Sequence, residues 1–174
     1  EITAAFSQLD AEYDFTPAGL TEDQQAEIQE KPAWKEFATK MRAMYDCVFD
    51  SESADVAYPW VLYWFTGMTH EEVYDLATRS HEYYSEQETD WVTWQTNMLG
   101  SKTGSVKYTW SCGTQVSPNI NELMEALDEN GIDVWVCSAS ATDPIRAAID
   151  VWGLHDYVTG LMAMTNKYDE VFDL

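Results

Sequence analysis

The stretch VSPNINELMEALDENGIDVWVCSASATDPIRAAIDVWGLHDYVTG, residues 116–160, decides the fold of this chain. A helical pattern begins at Pro118 and ends at Gly131, because proline suits the first helical position and glycine the position after the last. The nearly continuous apolar run IDVWVC, residues 132–137, is typical of a strand buried in a parallel sheet. A second helical pattern begins at Pro144. This order of helix, strand, loop and helix predicts an α/β fold with a parallel sheet.

The loop after this strand is the natural place for chemistry, because parallel sheets bind ligands beyond the carboxyl ends of their strands. Ser138, Ala139 and Ser140 lie there. A phosphate would meet a hydroxyl donor and backbone N–H groups at the positive end of a helix dipole. The alternative is that Ser140, Thr142 or Asp143 caps the helix that follows. Position alone leaves both interpretations open.

Upstream of this stretch, residues 20–97 are predicted to be mostly helical. Two helix starts are clear, because Thr21 is followed three residues later by Gln24, and Thr69 by Glu72. That spacing is the capping box, in which the two side chains satisfy backbone N–H groups reciprocally.

Other patterns in the chain are shorter. Pro59 is predicted to open a short helix, and Val106, Tyr108 and Trp110 alternate as in a strand or an extended loop. A helix is also predicted to start after Pro32. It carries an apolar stripe at helical spacing, formed by Trp34, Phe37, Met41, Met44 or Tyr45, and Val48.

The charge of the chain excludes some partners. It carries 31 acidic and 9 basic residues, a formal charge of -22. This argues against nucleic-acid binding, because phosphate backbones are bound by lysine and arginine, and it disfavours docking on anionic membranes. No apolar stretch reaches the roughly 18 residues that read as a membrane-spanning helix. The compartment is left open.

The cysteines and aromatic residues point to no single chemistry. Cys47, Cys112 and Cys137 have no short spacing, so neither a disulfide framework nor a zinc site is expected. Cys137 lies in the apolar run and is predicted to be a small buried side chain. Eight Trp, ten Tyr and six Phe supply a core or a cage for a quaternary ammonium group, and composition alone does not choose between them.

Residues 116–166 resemble the middle of phosphoserine-phosphatase-like members of the haloacid dehalogenase superfamily. In those proteins a hydrophobic strand ends in a serine or threonine followed by small residues, and a helix follows. Ser138 matches that second motif, whose hydroxyl binds the transferring phosphoryl group. Ala139 lies where the family uses a backbone N–H for the same phosphate.

The helical half of the chain fits the same resemblance. The segment GMTHEEVYDLATRSHEYY, residues 67–84, resembles a helix of the cap that this subfamily inserts between core elements. The resemblance therefore implies an incomplete Rossmann-like parallel-sheet core, residues 99–174, which carries the second motif. Residues 1–98 would be the helical cap region.

The aromatic content also resembles the phosphorylcholine-phosphatase branch, in which aromatic and acidic side chains hold a trimethylammonium group. The substrate would then be a small phosphate ester such as phosphocholine. Packing is the alternative role for each aromatic residue. The candidates for the cage are Trp60, Tyr63, Trp64, Trp91, Trp94 and Trp110, of which Trp60, Trp64 and Trp110 are taken as substrate-binding together with the serine loop.

The chain departs from the family at the residues that perform catalysis. No Asp-x-Asp occurs in it, although the first aspartate of that motif attacks phosphorus. Lys167 comes early for the third motif, and the acidic pair that helps hold Mg²⁺ is missing. The resemblance thus implies a fragment of a magnesium-dependent phosphomonoesterase with an aspartyl-phosphate intermediate, inactive by itself.

Two other functions are kept as alternatives. The aromatic, acidic cap could bind a choline-like cation without turning it over, or the chain could be a non-catalytic relative that kept the scaffold. An incomplete parallel sheet exposes its edges and apolar faces. A homodimer or other self-association is therefore expected.

Overall fold

A computed structural model describes residues 1–15, 20–96 and 102–165. The chain divides into two compact units. The first unit comprises Glu1–Trp64 and Trp91–Trp110, and the second comprises Phe65–Asp90 and Ser111–Leu174. The domain boundary expected between residues 98 and 99 lies outside the described residues and stays a prediction.

Among its described residues, the first unit contains four α-helices and most of a two-stranded sheet. A short 3-10 helix, Tyr63–Phe65, follows the fourth helix. The elements are α1 (Ile2–Asp10), α2 (Glu22–Glu30), α3 (Pro32–Ser51), α4 (Ala54–Leu62), β1 (Asp90–Thr96) and β2 (Val106–Cys112).

Helix α3 organises the first unit, since α1, α2 and α4 all pack against it. It begins at Pro32, as predicted, but its buried face differs from the expected one. The predicted stripe is mostly half-buried, whereas Glu36, Thr39 and Lys40 are fully buried. The Lys40 ammonium forms ion pairs with Glu36 and, at 2.9 Å, with Glu1. A paired charge can be buried, and hydrophobicity alone does not reveal that.

Two local predictions in this unit are wrong. Residues 90–96 were expected at the end of a helix but form strand β1, in which Val92, Trp94 and Thr96 turn to the protected side. β-branched and aromatic residues fit a half-buried strand better than a helix. Pro59 lies inside α4 rather than opening a helix. Its ring removes one backbone hydrogen bond there.

Up to residue 165, where its description ends, the second unit contains three α-helices and a two-stranded parallel sheet. Helix α7 connects the two strands, contacts both of them and packs against α5. The elements are α5 (His70–Ser85), α6 (Pro118–Glu129), β3 (Trp135–Ala141), α7 (Thr142–Val151), a 3-10 helix (His155–Tyr157) and β4 (Gly160–Met164). In the part of the chain that is described, no helix is long and apolar enough to cross a lipid bilayer.

The predicted strand and loop of the second unit are displaced along the sequence. Strand β3 starts at Trp135 instead of residue 132 and runs through Ala141, so the expected loop is mostly strand. Cys137 is exposed, not buried, as are Trp135 and Met162. These side chains lie on the face of the sheet that α7 does not cover, since partnered residues of parallel strands share a face. The α/β class is confirmed, whereas a Rossmann-like core, larger than these sheets, stays a prediction.

Candidate functional site

Ser138 lies on an irregularity of strand β3. Cys137 pairs with Met162 of β4, and the next pair joins Ala141 to Met164. Strand β3 therefore advances four residues while β4 advances two, which places two extra residues in β3. Such bulges redirect side chains and are common beside active sites. The bulge lies at the carboxyl end of a parallel strand, directly before α7.

A hydrogen bond inside the bulge fixes the Ser138 side chain. The Ser140 backbone N–H donates to Ser138 Oγ, with 3.1 Å between nitrogen and oxygen. A hydroxyl has one hydrogen and two lone pairs, so this bond leaves its hydrogen able to donate to an anion. Ser138 is half-buried, and Ala139 and Ser140 are exposed, so the bulge is not sealed beneath other side chains. Ser140 contributes its N–H to Ser138 rather than to a ligand.

The start of α7 differs from the capped helix start that was the alternative to phosphate binding. The N-cap residue is Ala141, and no side chain makes a capping hydrogen bond there. Capping by Ser140, Thr142 or Asp143 is therefore wrong. Thr142 Oγ1 instead donates to the carbonyl oxygen of Met164, at 3.1 Å, which ties the start of α7 to β4.

Asp143 is the buried charge of this region. It lies in the first turn of α7 with only 4% of its surface exposed. His70, the first residue of α5, donates from Nδ1 to Asp143 Oδ2 across 2.9 Å. The His70 side chain is 55% exposed, so the imidazole lies at the surface while its partner is buried. A carboxylate in the first turn also complements the positive end of the α7 dipole.

The aromatic candidates belong to the first unit, whereas Ser138, Ala139 and Ser140 belong to the second. Trp60 of α4 stacks on Tyr45 of α3 at 6.5 Å between ring centroids, and the Trp64 ring meets Trp60 edge-on at 5.1 Å. Tyr63 and Trp91 are each 71% exposed.

A second group of rings lies on the sheet of the first unit. Trp110 packs edge-on against Trp94 at 4.7 Å and stacks on Tyr108 at 5.8 Å. The Arg42 guanidinium of α3 lies over the Tyr108 ring at 5.4 Å and over the Tyr45 ring at 5.2 Å. The two aromatic groups are thus joined by a cation that the chain itself supplies.

Sequence reasoning missed His70, Asp143 and Arg42 as parts of these sites. Asp143 was considered only as a helix cap, and His70 was assigned no role. The available signal was that His70 and Asp143 each lie within the first turn of a helix. The pairing itself depends on how α5 packs on α7, and no sequence spacing encodes it. Arg42 gave no signal, since its partner Tyr108 is 66 residues away.

Two hollows of the first unit are lined by residues other than the predicted ones. One is lined by residues 10–15, and another by residues of α1 together with Lys31, Pro32 and Ala33. Neither includes the tryptophans of the proposed cage.

Comparison with known proteins identifies a fold and no function. No protein-family model and no curated protein matches this chain. A crystal structure of a conserved functionally unknown protein from Anaerococcus prevotii is similar over 98% of the chain, with a TM-score of 0.78 and 24% sequence identity. The chain spans 44% of that protein's length. The similarity at this identity supports the fold alone.

Proposed function

We propose that this chain is part of a phosphomonoester hydrolase of the haloacid dehalogenase type, in which Ser138 binds the transferring phosphoryl group. One observation carries the proposal, namely a serine hydroxyl on a bulge at the carboxyl end of a parallel strand, directly before a helix without a side-chain cap. Ligands of parallel α/β sheets bind at such strand ends.

The hydrogen bond from Ser140 supports this role for Ser138. Because Ser138 Oγ accepts from the Ser140 N–H, its rotamer is fixed before a ligand arrives. A hydrogen-bond donor that is already oriented needs no reorganisation when negative charge develops in the transition state, so it stabilises that charge more than a mobile donor would. The opposing factor is Asp143, whose carboxylate repels a phosphate that approaches α7. The imidazole of His70 is the nearby group that hydrogen-bonds this carboxylate.

The nucleophile would come from outside the residues of this chain. In the proposed reaction an aspartate carboxylate attacks phosphorus and the alcohol leaves. Water then hydrolyses the aspartyl phosphate. Ser138 holds a nonbridging oxygen of the phosphoryl group during both steps. The substrate proposed from the resemblance is a small phosphate ester such as phosphocholine.

Magnesium does not fit the residues at hand. Across the described ranges no group of three or more His, Cys, Asp or Glu side chains could hold a metal ion. Asp143, the buried carboxylate nearest in sequence to the bulge, is engaged by His70. We therefore derive no step through Mg²⁺, which stays a proposal for a longer polypeptide.

The test is turnover by a longer polypeptide that contains both this chain and an Asp-x-Asp motif. Hydrolysis of p-nitrophenyl phosphate and phosphocholine is measured with Mg²⁺ present. We expect Ser138→Ala to reduce kcat by about 100-fold, as loss of one donor to developing charge typically does. Ser117→Ala is the matched control, because Ser117 precedes α6, which also lacks a side-chain cap. Absence of turnover with every ester, or equal activity of the Ser138 variant, would refute the proposal.

A second candidate function, cation binding by the aromatic residues, has its own supporting observation. The rings of Tyr45 and Tyr108 already hold a cation, the guanidinium of Arg42. Two aromatic faces and a nearby carboxylate, Asp46, are the chemistry that recognises quaternary ammonium groups. The candidate cage therefore centres on Tyr45 and Tyr108 instead of on tryptophans alone.

A further inference from the structure

The surroundings of Arg42 resemble an occupied binding site. Its guanidinium lies 5.2 Å from the centroid of Tyr45 and 5.4 Å from that of Tyr108. Its Nε donates to the Tyr108 hydroxyl at 3.0 Å, and Nη2 lies 3.9 Å from Asp46 Oδ1. The cation thus has two ring faces and one carboxylate around it.

Two tryptophan side chains also contact the tyrosine rings beside Arg42. Trp60 stacks on Tyr45, and Trp110 stacks on Tyr108, so each tyrosine ring that contacts Arg42 also contacts an indole. Burial, together with a hydrogen bond to Asp46, raises the pKa of Tyr108 above its ordinary value. The slot formed by Tyr45, Asp46 and Tyr108 is therefore preorganised for a positive charge.

We propose that this slot binds a small alkylammonium cation, and that Arg42 occupies the slot when no ligand is present. The inference rests on the second candidate function and adds the location of the site and its internal competitor. A ligand must displace the Arg42 guanidinium, so Arg42 lowers the affinity of the site and selects cations that bind the rings better.

Arg42 is a displaceable occupant for physical reasons. Its side chain is 53% exposed, and an ion pair at that exposure is worth little because water screens it. A displaced arginine keeps its charge in water, where guanidinium is well tolerated. A tetraalkylammonium ion has no hydrogen-bond donor and is weakly hydrated, so it loses less on entering an aromatic slot.

The test compares ligand affinity with and without the arginine. Tetramethylammonium and choline are titrated by calorimetry into the wild-type chain and into Arg42→Gln. We expect Arg42→Gln to bind each ligand about tenfold more tightly, which corresponds to about 1.4 kcal/mol. Arg79→Gln is the matched control. Arg79 is 50% exposed and forms a four-residue-spaced pair with Asp75, as Arg42 does with Asp46. The control should bind as the wild-type chain does.

The outcomes separate the site from its competitor. Equal binding by wild type and Arg42→Gln would keep the cation function and overturn the role of Arg42. No binding by either would overturn both. Dimethylbutanol, the uncharged carbon analogue of choline, should not bind, and equal binding of it would show a merely hydrophobic slot.

A measurement on the unmodified chain covers the case in which Arg42→Gln fails to fold. The Arg42 Nε–H resonance is shifted by the ring currents of Tyr45 and Tyr108. Tetramethylammonium should move this resonance toward its position in an unfolded chain, while sodium at equal concentration should not. A resonance that stays in place when ligand binding is saturated would contradict displacement.

Discussion

Glu36 in α3 and Asp143 in α7 are both buried carboxylates, 1% and 4% exposed, yet their partners differ. Lys40, the partner of Glu36, is itself buried. His70, the partner of Asp143, keeps 55% of its side chain exposed. A pair that is buried on both sides leaves an uncompensated buried charge when one member is lost. A pair with one exposed, titratable member places a proton-carrying group at the surface, here at the first turn of the helix that follows Ser138.

The largest effect is expected from Lys40→Ala. It leaves the Glu36 carboxylate buried without this ammonium, and removing one member of a buried pair costs about 3–5 kcal/mol. Urea unfolding measures the loss. Lys35→Ala is the control, because the side chains of Lys35 and its partner Glu30 keep 37% and 82% of their surface exposed, and such a pair is worth about 0–1 kcal/mol. Equal losses for the two variants would mean that burial of the pair does not matter.

A double variant sharpens the same point. Glu36→Leu combined with Lys40→Met removes both charges and keeps much of the volume. Buried pairs replaced in this way are often neutral or stabilising. We expect the double variant to be within about 1 kcal/mol of the wild-type chain, far more stable than Lys40→Ala. A double variant as unstable as Lys40→Ala would assign the effect to lost packing.

A smaller effect is expected from His70→Ala. Its hydrogen bond goes to a charged group, and loss of such a bond costs about 1.5–3 kcal/mol. His155→Ala is the control, because His155 bonds Asp150 at a similar distance, 2.8 Å, but is 77% exposed. The urea unfolding midpoints of the two variants measure these two stability losses. A larger loss for His155 would contradict the importance of the buried Asp143.

The smallest effect concerns pH. Burial alone would lower the pKa of Lys40, but hydrogen bonds to Glu36 and Glu1 outweigh burial and hold that pKa above its ordinary value of 10.5. A raised folded-state pKa contributes stability that is complete below the unfolded pKa and is lost as pH rises through the folded pKa. Urea midpoints should therefore fall above pH 10.5. They should fall less in the double variant, and an equal fall in both chains would exclude Lys40 as a cause.

The sequence predicted helix starts well because they depend on local hydrogen bonds. The capping boxes at Thr21 and Thr69 form as expected, and α3 begins at Pro32. Each depends on residues within one turn, so tertiary packing does not alter it. Strand β1 was missed because the alternating pattern of Val92 and Trp94 is short. Its partner strand, β2, begins only at Val106, so the pairing is not visible in the local sequence.

Burial was harder to predict than secondary structure. Cys137 was expected inside a parallel sheet, but a two-stranded sheet covered by α7 on one side leaves its other face open. Lys40 was not expected inside at all, and its burial depends on Glu1 and Glu36 arriving from two segments. Ser138 could be located near a strand end, but the bulge that exposes it depends on the register with β4.

Binding of inorganic phosphate to this chain tests the central claim most directly. Phosphorus NMR of phosphate is followed as the wild-type chain, Ser138→Ala and Ser117→Ala are added in turn. A hydroxyl that donates to an anion is worth about 1.5–3 kcal/mol, so Ser138→Ala should weaken binding about tenfold or more, while Ser117→Ala should not. Equal affinity of the Ser138 variant and the wild-type chain would contradict the role of Ser138 as the phosphoryl-binding residue.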